Sequence, residues 1–195
     1  MSTFLVTGAT GDTGREVCAL LTARGDTVLA VGTDAARLET VDAAERLVAD
    51  VTDRAATDAL AADVARRHDH VDAILHLVGG WKGGWSDEVT DWLNLRLVTT
   101  LLNVSESFEE LLLAAPAGRL AIVSSTVVTH DGPPTSAYAA AKLAAESWVA
   151  QLNARWAGTN AGAVTFVVKS IDKPGSVAAH LADVGQLDAG SRILL

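Results

Sequence analysis

The chain holds one cysteine, Cys18, in 195 residues, which excludes an intrachain disulfide and any cysteine metal cluster. Cys18 stands among Val17, Leu20 and Leu21, the setting of a core side chain. Basic residues are scarce as well, 15 Lys and Arg against 24 Asp and Glu, for a net charge of −9 and a pI near 4.9. Nucleic acids and membrane surfaces both select basic patches, so neither is expected as a partner. No stretch approaches the roughly 18 consecutive apolar residues of a membrane helix. The N-terminal apolar run has no basic region before it and is too short for a signal peptide. A soluble, cytoplasmic protein is the expectation. Internal repeats, low-complexity tracts and domain-dividing linkers are also missing.

What is present is an alternation. Hydrophobic residues make up 49% of the chain and charged ones 20%, which fits one globular domain over residues 1–195. Strand patterns at 3–7, 27–31, 47–48, 71–78, 119–125, 163–168 and 192–195 alternate with helical ones at 12–24, from 35, 54–67, 87–114, 136–156 and 177–184. Strand and helix in strict alternation predict an α/β fold. The expected form is a single doubly wound parallel sheet of about seven strands, helices on both faces. Such sheets bind ligands at the carboxyl ends of their strands. Candidate residues are therefore judged by whether they follow a strand.

The stretch "TGATGDTGR" at residues 7–15 passes that test, with Gly8, Gly11 and Gly14 between the first strand and the first helix. A glycine directly after a strand allows a tight turn, the next lets backbone approach a pyrophosphate, and the last allows close helix–strand packing. Amide groups of Thr10, Asp12 and Thr13 would then face phosphates at the helix start, with Arg15 one residue on. A tight turn with no ligand is the plain alternative. The second constellation is Ser125, Tyr138 and Lys142. Tyr138 is the only tyrosine, and Lys142, four residues on, shares its helix face. A tyrosine with a pKa near 10 needs a neighbouring cation to serve as an acid at neutral pH. Lys142 supplies one, and Ser125, ending a strand, can hold a substrate oxygen. A core tyrosine beside a surface lysine is the alternative here.

With these residues the chain resembles the short-chain dehydrogenase/reductase family over nearly its whole length. "TGATGDTG" is similar to the cofactor turn of that family's extended and atypical branches. The resemblance implies an NAD(P)-binding Rossmann-type domain. It implies that Asp50 and the adjacent Val51 contact adenine, and that Val78, Gly79 and Gly80 form the cofactor floor after the fourth strand. "HLVGG" at 76–80 stands in place of the family's Asn-Asn-Ala-Gly and keeps only Gly79, His76 replacing the motif asparagine structurally. Asn94 is similar to the asparagine that supports the family's proton relay. Ser125, Tyr138 and Lys142 match its serine, its acid and its ribose ligand. Trp148 and Trp156 fall in the helix the family uses for dimerisation, which implies a homodimer or homotetramer.

Two departures bear on function. Gly32 and Thr33 end the second strand, where NAD-preferring members carry an acid and NADP-preferring ones often an arginine; Asp34 and Arg37 lie close by. With no acid to repel a 2′-phosphate and with Thr33 and Arg15 able to donate to it, the leaning is towards NADP(H). The other departure is that only 23 residues follow Asp172, which predicts a reduced substrate lid. Trp81 and Trp85 in "GGWKGGW" then sit at the crevice rim, where a planar substrate could stack, and His130 lies over the site. That segment is similar to a Gly-Gly-Trp stretch of quinoid dihydropteridine reductase, over too few residues to choose a substrate. The reading is hydride transfer between a nicotinamide cofactor and a small carbonyl or alcohol. The competing reading, a non-catalytic dinucleotide sensor, draws on the missing lid.

Overall fold

In a computed structural model, which describes residues 1–128, 131–171 and 174–195, seven strands form one parallel sheet in the order β3-β2-β1-β4-β5-β6-β7. The strands are β1 (Thr3–Thr7), β2 (Thr27–Gly32), β3 (Glu45–Val48), β4 (Ala73–His76), β5 (Arg119–Ser125), β6 (Gly162–Val168) and β7 (Arg192–Leu194). The order turns back on itself at β1, between β2 and β4, the switch point at which such sheets open a crevice.

The central strands read as apolar runs because both faces are covered. In β1, Leu5 packs into one layer with α3 (Arg54–Ala65), α5 (Thr100–Ser107) and α7 (Ala137–Arg155). Its neighbours Phe4 and Val6 face the other layer, with α1 (Asp12–Ala23) and α8 (Pro174–Ala182). Cys18 is fully buried in that second layer, and burial pushes its thiol up to about 12, with the Asp42 charge adding to it. It is a packing residue, as its neighbours imply.

The expected helical region at 87–114 is interrupted. It comprises α4 (Asp87–Asn94), a π-helical turn (Leu95–Thr99), α5 and α6 (Glu109–Leu113). Apolar spacing carries through these breaks, so periodicity alone does not mark them. The fourth strand is also shorter than the apolar run 71–78, because Val71 and Val78 lie outside the ladder. Among the described residues, the elements between β6 and β7 are α8 and a 3₁₀ turn at Val184–Gln186, and they form no substrate-covering subdomain.

Candidate active site

The β1–α1 turn is shaped by close backbone contact. Gly8 has φ +71°, and a Cβ there would lie 2.7 Å from the Leu77 carbonyl carbon. At Gly14 a Cβ would meet the Gly8 carbonyl oxygen at 2.5 Å, so α1 rides directly on the turn. Helices α2 (Ala35–Leu38), α3, α4 and α7 each begin with a side chain that accepts a first-turn amide: Asp34, Asp53, Ser86 and Ser136. Helix α1 begins at Gly11 with no side-chain cap. Its first turn opens onto the crevice, and helix N-terminal amides of this kind can take an anion.

Two cavities meet along the carboxyl ends of the strands, sharing Leu77, Val78 and Gly79. One, about 530 Å³, is lined by Gly8, Thr10, Gly11, Thr33, Asp50 and Val51, with Arg37 and Arg96 at its side. Asp50 Oδ1 accepts from the Thr52 amide at 3.0 Å and from its hydroxyl at 2.7 Å. Asp34 is held as the cap of α2, accepting from the Arg37 amide at 3.1 Å. Arg37 reaches back to donate to the Thr10 carbonyl at 2.9 Å. Arg37, noted beside Thr33 in the sequence and lying two residues into α2, lines this cavity, and so does Arg96, which no sequence pattern marks.

The other cavity, about 380 Å³, is lined by Thr13, Gly80, Trp81, Ser125, Tyr138 and Lys142, together with His76, Ser124 and Lys169. Strand β5 ends at Ser125, and the first turns of α7 carry Tyr138 and Lys142 to the same space. The Lys142 ammonium donates to the Val123 carbonyl at 2.6 Å and lies 5.8 Å from the Tyr138 ring centroid. Burial raises the Tyr138 phenol above its ordinary value, against an opposing hydrogen bond from Ser125. Burial also lowers Lys142 to about 8, although the Glu146 carboxylate pulls the other way. Tyr138 is therefore a protonated phenol at neutral pH, beside the Lys142 ammonium.

His76 forms part of the floor. The Thr100 hydroxyl donates to the Arg96 carbonyl at 2.7 Å, so its oxygen receives the His76 Nε2 proton at 3.1 Å. Nδ1 then accepts from the Thr7 hydroxyl at 2.9 Å. Both ring nitrogens are used, and the imidazole ties β1, β4 and α5 together.

The remaining expected residues fall differently. Asn94 is exposed at the end of α4 and lines neither cavity; the π turn begins directly after it. Arg15 bonds the Thr10 carbonyl at 3.2 Å and the Thr40 hydroxyl, which draws it along the outside of the turn. Asp12 and Gly14 shape the turn without lining a cavity. Trp81, 72% exposed, lines the smaller cavity, whereas Trp85, 60% exposed, lines neither. His130 lies outside the described residues. Among those residues no group of three potential metal ligands occurs, and no helix is long and apolar enough to cross a membrane.

Comparison with known proteins bears on the family and the fold. The short chain dehydrogenase family model matches residues 2–183. No curated protein matches the chain. Among solved structures, a short-chain dehydrogenase from Streptomyces avermitilis superimposes with a TM-score of 0.88 at 21% identity, covering 100% of this chain and 89% of its own. An oxidoreductase from E. coli gives 0.87 at 19% identity, over 99% and 94%. An alcohol dehydrogenase from the archaeon Thermococcus sibiricus, complexed with 5-hydroxy-NADP, gives 0.86 at 16%, over 99% and 95%. At these identities the superpositions establish the shared fold. The family match, which covers all seven-strand topology but its last strand, establishes descent: the chain belongs to the short-chain dehydrogenase family and is an oxidoreductase.

Proposed function

We propose that this protein reduces a small carbonyl compound, or oxidises the corresponding alcohol, with a nicotinamide dinucleotide held across the two cavities. The observation that carries the reading is the convergence of Ser125, Tyr138 and Lys142 on one cavity that shares its wall with the glycine turn. The residues fit such a cofactor: the uncapped start of α1 would face its phosphates, and the cavity that Asp50 and Thr33 line would take its adenosine. Arg37 in that cavity, with Asp34 engaged as a cap, favours NADP(H) over NAD(H). The Thermococcus sibiricus relative, which holds 5-hydroxy-NADP, is consistent with this preference.

The cofactor, when bound, supplies or accepts the hydride. In the reductive direction Ser125 hydrogen-bonds the substrate oxygen and holds the carbonyl carbon towards the nicotinamide side. Tyr138 transfers its phenolic proton to that oxygen as negative charge develops there. Lys142 holds the ribose hydroxyls and stabilises the tyrosinate left behind, which solvent reprotonates. Replacing Tyr138 by Phe tests the assignment. Turnover is expected to fall by at least about two orders of magnitude, while the dissociation constants for NADP(H) and NAD(H), measured by calorimetry, stay within about twofold of the parent and keep NADP(H) the tighter. Near-normal turnover would remove Tyr138 from the chemistry; failure to bind either dinucleotide would remove the cofactor.

A further inference from the structure

Behind Lys142 lies a second set of charges that the reaction as written does not use. Glu146 follows Lys142 by four residues on α7, one turn away from the cavity and on the same helix face. It is buried, at 7% exposure. One carboxylate oxygen accepts from the Ser124 hydroxyl at 2.5 Å, and the other receives the Arg192 Nε–H at 3.0 Å, with Arg192 Nη2 3.4 Å from the first. Arg192 opens β7, the last strand of the sheet. Ser124 itself lines the cavity that holds Tyr138 and Lys142.

We propose that Glu146, fixed by Ser124 and Arg192, is a positioning residue that keeps Lys142 a cation at the site. This rests on the catalytic reading above for its consequence, though not for its test. Three arguments carry it. A buried carboxylate is costly unless paired and hydrogen-bonded, and here both oxygens are directed by partners from two different strands. The anion sits on the face of α7 that also carries Tyr138 and Lys142, so its field acts on the ammonium through a dry interior rather than through solvent. No acidic side chain among the described residues lines the cavity itself, so Glu146 is the carboxylate placed to offset desolvation of Lys142.

Among the described residues the groups facing Lys142 are few. Tyr138 and Glu146 come from α7, neutral His76 from β4, and the Val123 carbonyl from β5; Lys169 enters at the rim from β6, and Arg192 acts through Glu146. Only Glu146 is an anion among them. Removing its charge is expected to let burial and the surrounding dipoles drive Lys142 further towards the neutral amine. Removing Arg192 leaves the carboxylate charge less compensated and is expected to hold the ammonium more tightly.

The chain has four lysines, Lys82, Lys142, Lys169 and Lys173, so the side-chain nitrogens of protein labelled with ¹⁵N-lysine can be titrated individually by NMR, with Lys142→Arg assigning the signal. The resting protein serves, without substrate. In Glu146→Gln, which retains an acceptor for Ser124, the Lys142 titration should move down by about one pH unit or more, a charge effect of the size ordinary for a buried neighbour. In Arg192→Met it should move up. Where reductase activity is measurable, the alkaline limb of its pH profile should follow in the same directions. A Lys142 titration unmoved in both folded variants would make Glu146 and Arg192 a structural pair only and end the proposal. If Glu146→Gln does not fold, the sign of the Arg192→Met shift decides alone, a downward or null shift overturning it. Shifted titrations in an enzyme for which no carbonyl substrate is turned over would instead overturn the catalytic reading.

Discussion

At the scale of single residues, His76 shows how a departure from the family motif has been absorbed. Burial, with a smaller contribution from the Lys142 charge, lowers its pKa from 6.5 to about 3. The unfolded chain therefore takes up a proton below about 6.5 that the folded chain refuses until about 3. Over that interval the unfolded state binds more protons, so stability falls as pH falls and is regained above it. The expected outcome is a downward slope of unfolding free energy between about pH 6.5 and 4 in urea titrations, reduced in His76→Asn after allowance for its lower stability overall. A variant with an unchanged acid limb would show that other groups control it. Ser125, Tyr138 and Lys142 were legible because strand-end position and a four-residue helical spacing are local patterns. The pairing of Glu146 with Arg192 was not, since it depends on β7 lying beside β6.

Among the elements, the β1–α1 turn gives the sharpest contrast between two glycines. A Cβ at Gly14 would press on the Gly8 oxygen at 2.5 Å and Ala9 Cα at 2.8 Å, all backbone that cannot move without shifting β1 or α1. At Gly11 the nearest contact would be the Gly8 oxygen at 3.4 Å. Gly14→Ala is therefore expected to cost stability, about 1–3 kcal/mol as for other overpacked sites, and to lose dinucleotide binding as a consequence of misplacing the helix. Gly11→Ala should leave the melting temperature within a few degrees yet weaken dinucleotide binding about tenfold or more, since the added methyl stands at the uncapped helix start. Thermal melts with calorimetric binding on the same samples check both. Equal binding by Gly11→Ala and the parent would place the phosphates elsewhere. Elements of this kind were legible where apolar runs ended in glycine or polar residues: β1 and β5 have the bounds that their sequences predict. The π turn at Leu95–Thr99 was not, because it keeps the helical apolar spacing.

For the whole molecule, the alternation of strand and helix sufficed to predict a seven-stranded parallel sheet, because parallel strands need covering crossovers and leave few other arrangements. Substrate class was less legible, as it depends on what closes the crevice. Helix α8, the element after β6, packs Val177 and Leu181 against Val17 and Leu21 of α1 in the layer beneath the sheet. It is thus occupied in the core and does not roof the site. Trp81 and Ile171 are left exposed on the lining of the smaller cavity. An uncovered site makes few contacts with remote parts of a substrate, and those contacts supply most discrimination. Weak apparent affinity is expected, with KM approaching the millimolar end of the usual range, and kcat/KM should vary by only about tenfold per added methylene across a series of small ketones and aldehydes. A second copy of the chain would add a wall on the side that the described residues leave open, so light scattering is expected to read a dimer or tetramer, and dilution to monomer should raise KM further. A monomer with micromolar KM and sharp preference for one carbonyl compound would show that the residues around Trp81 close over the substrate by themselves.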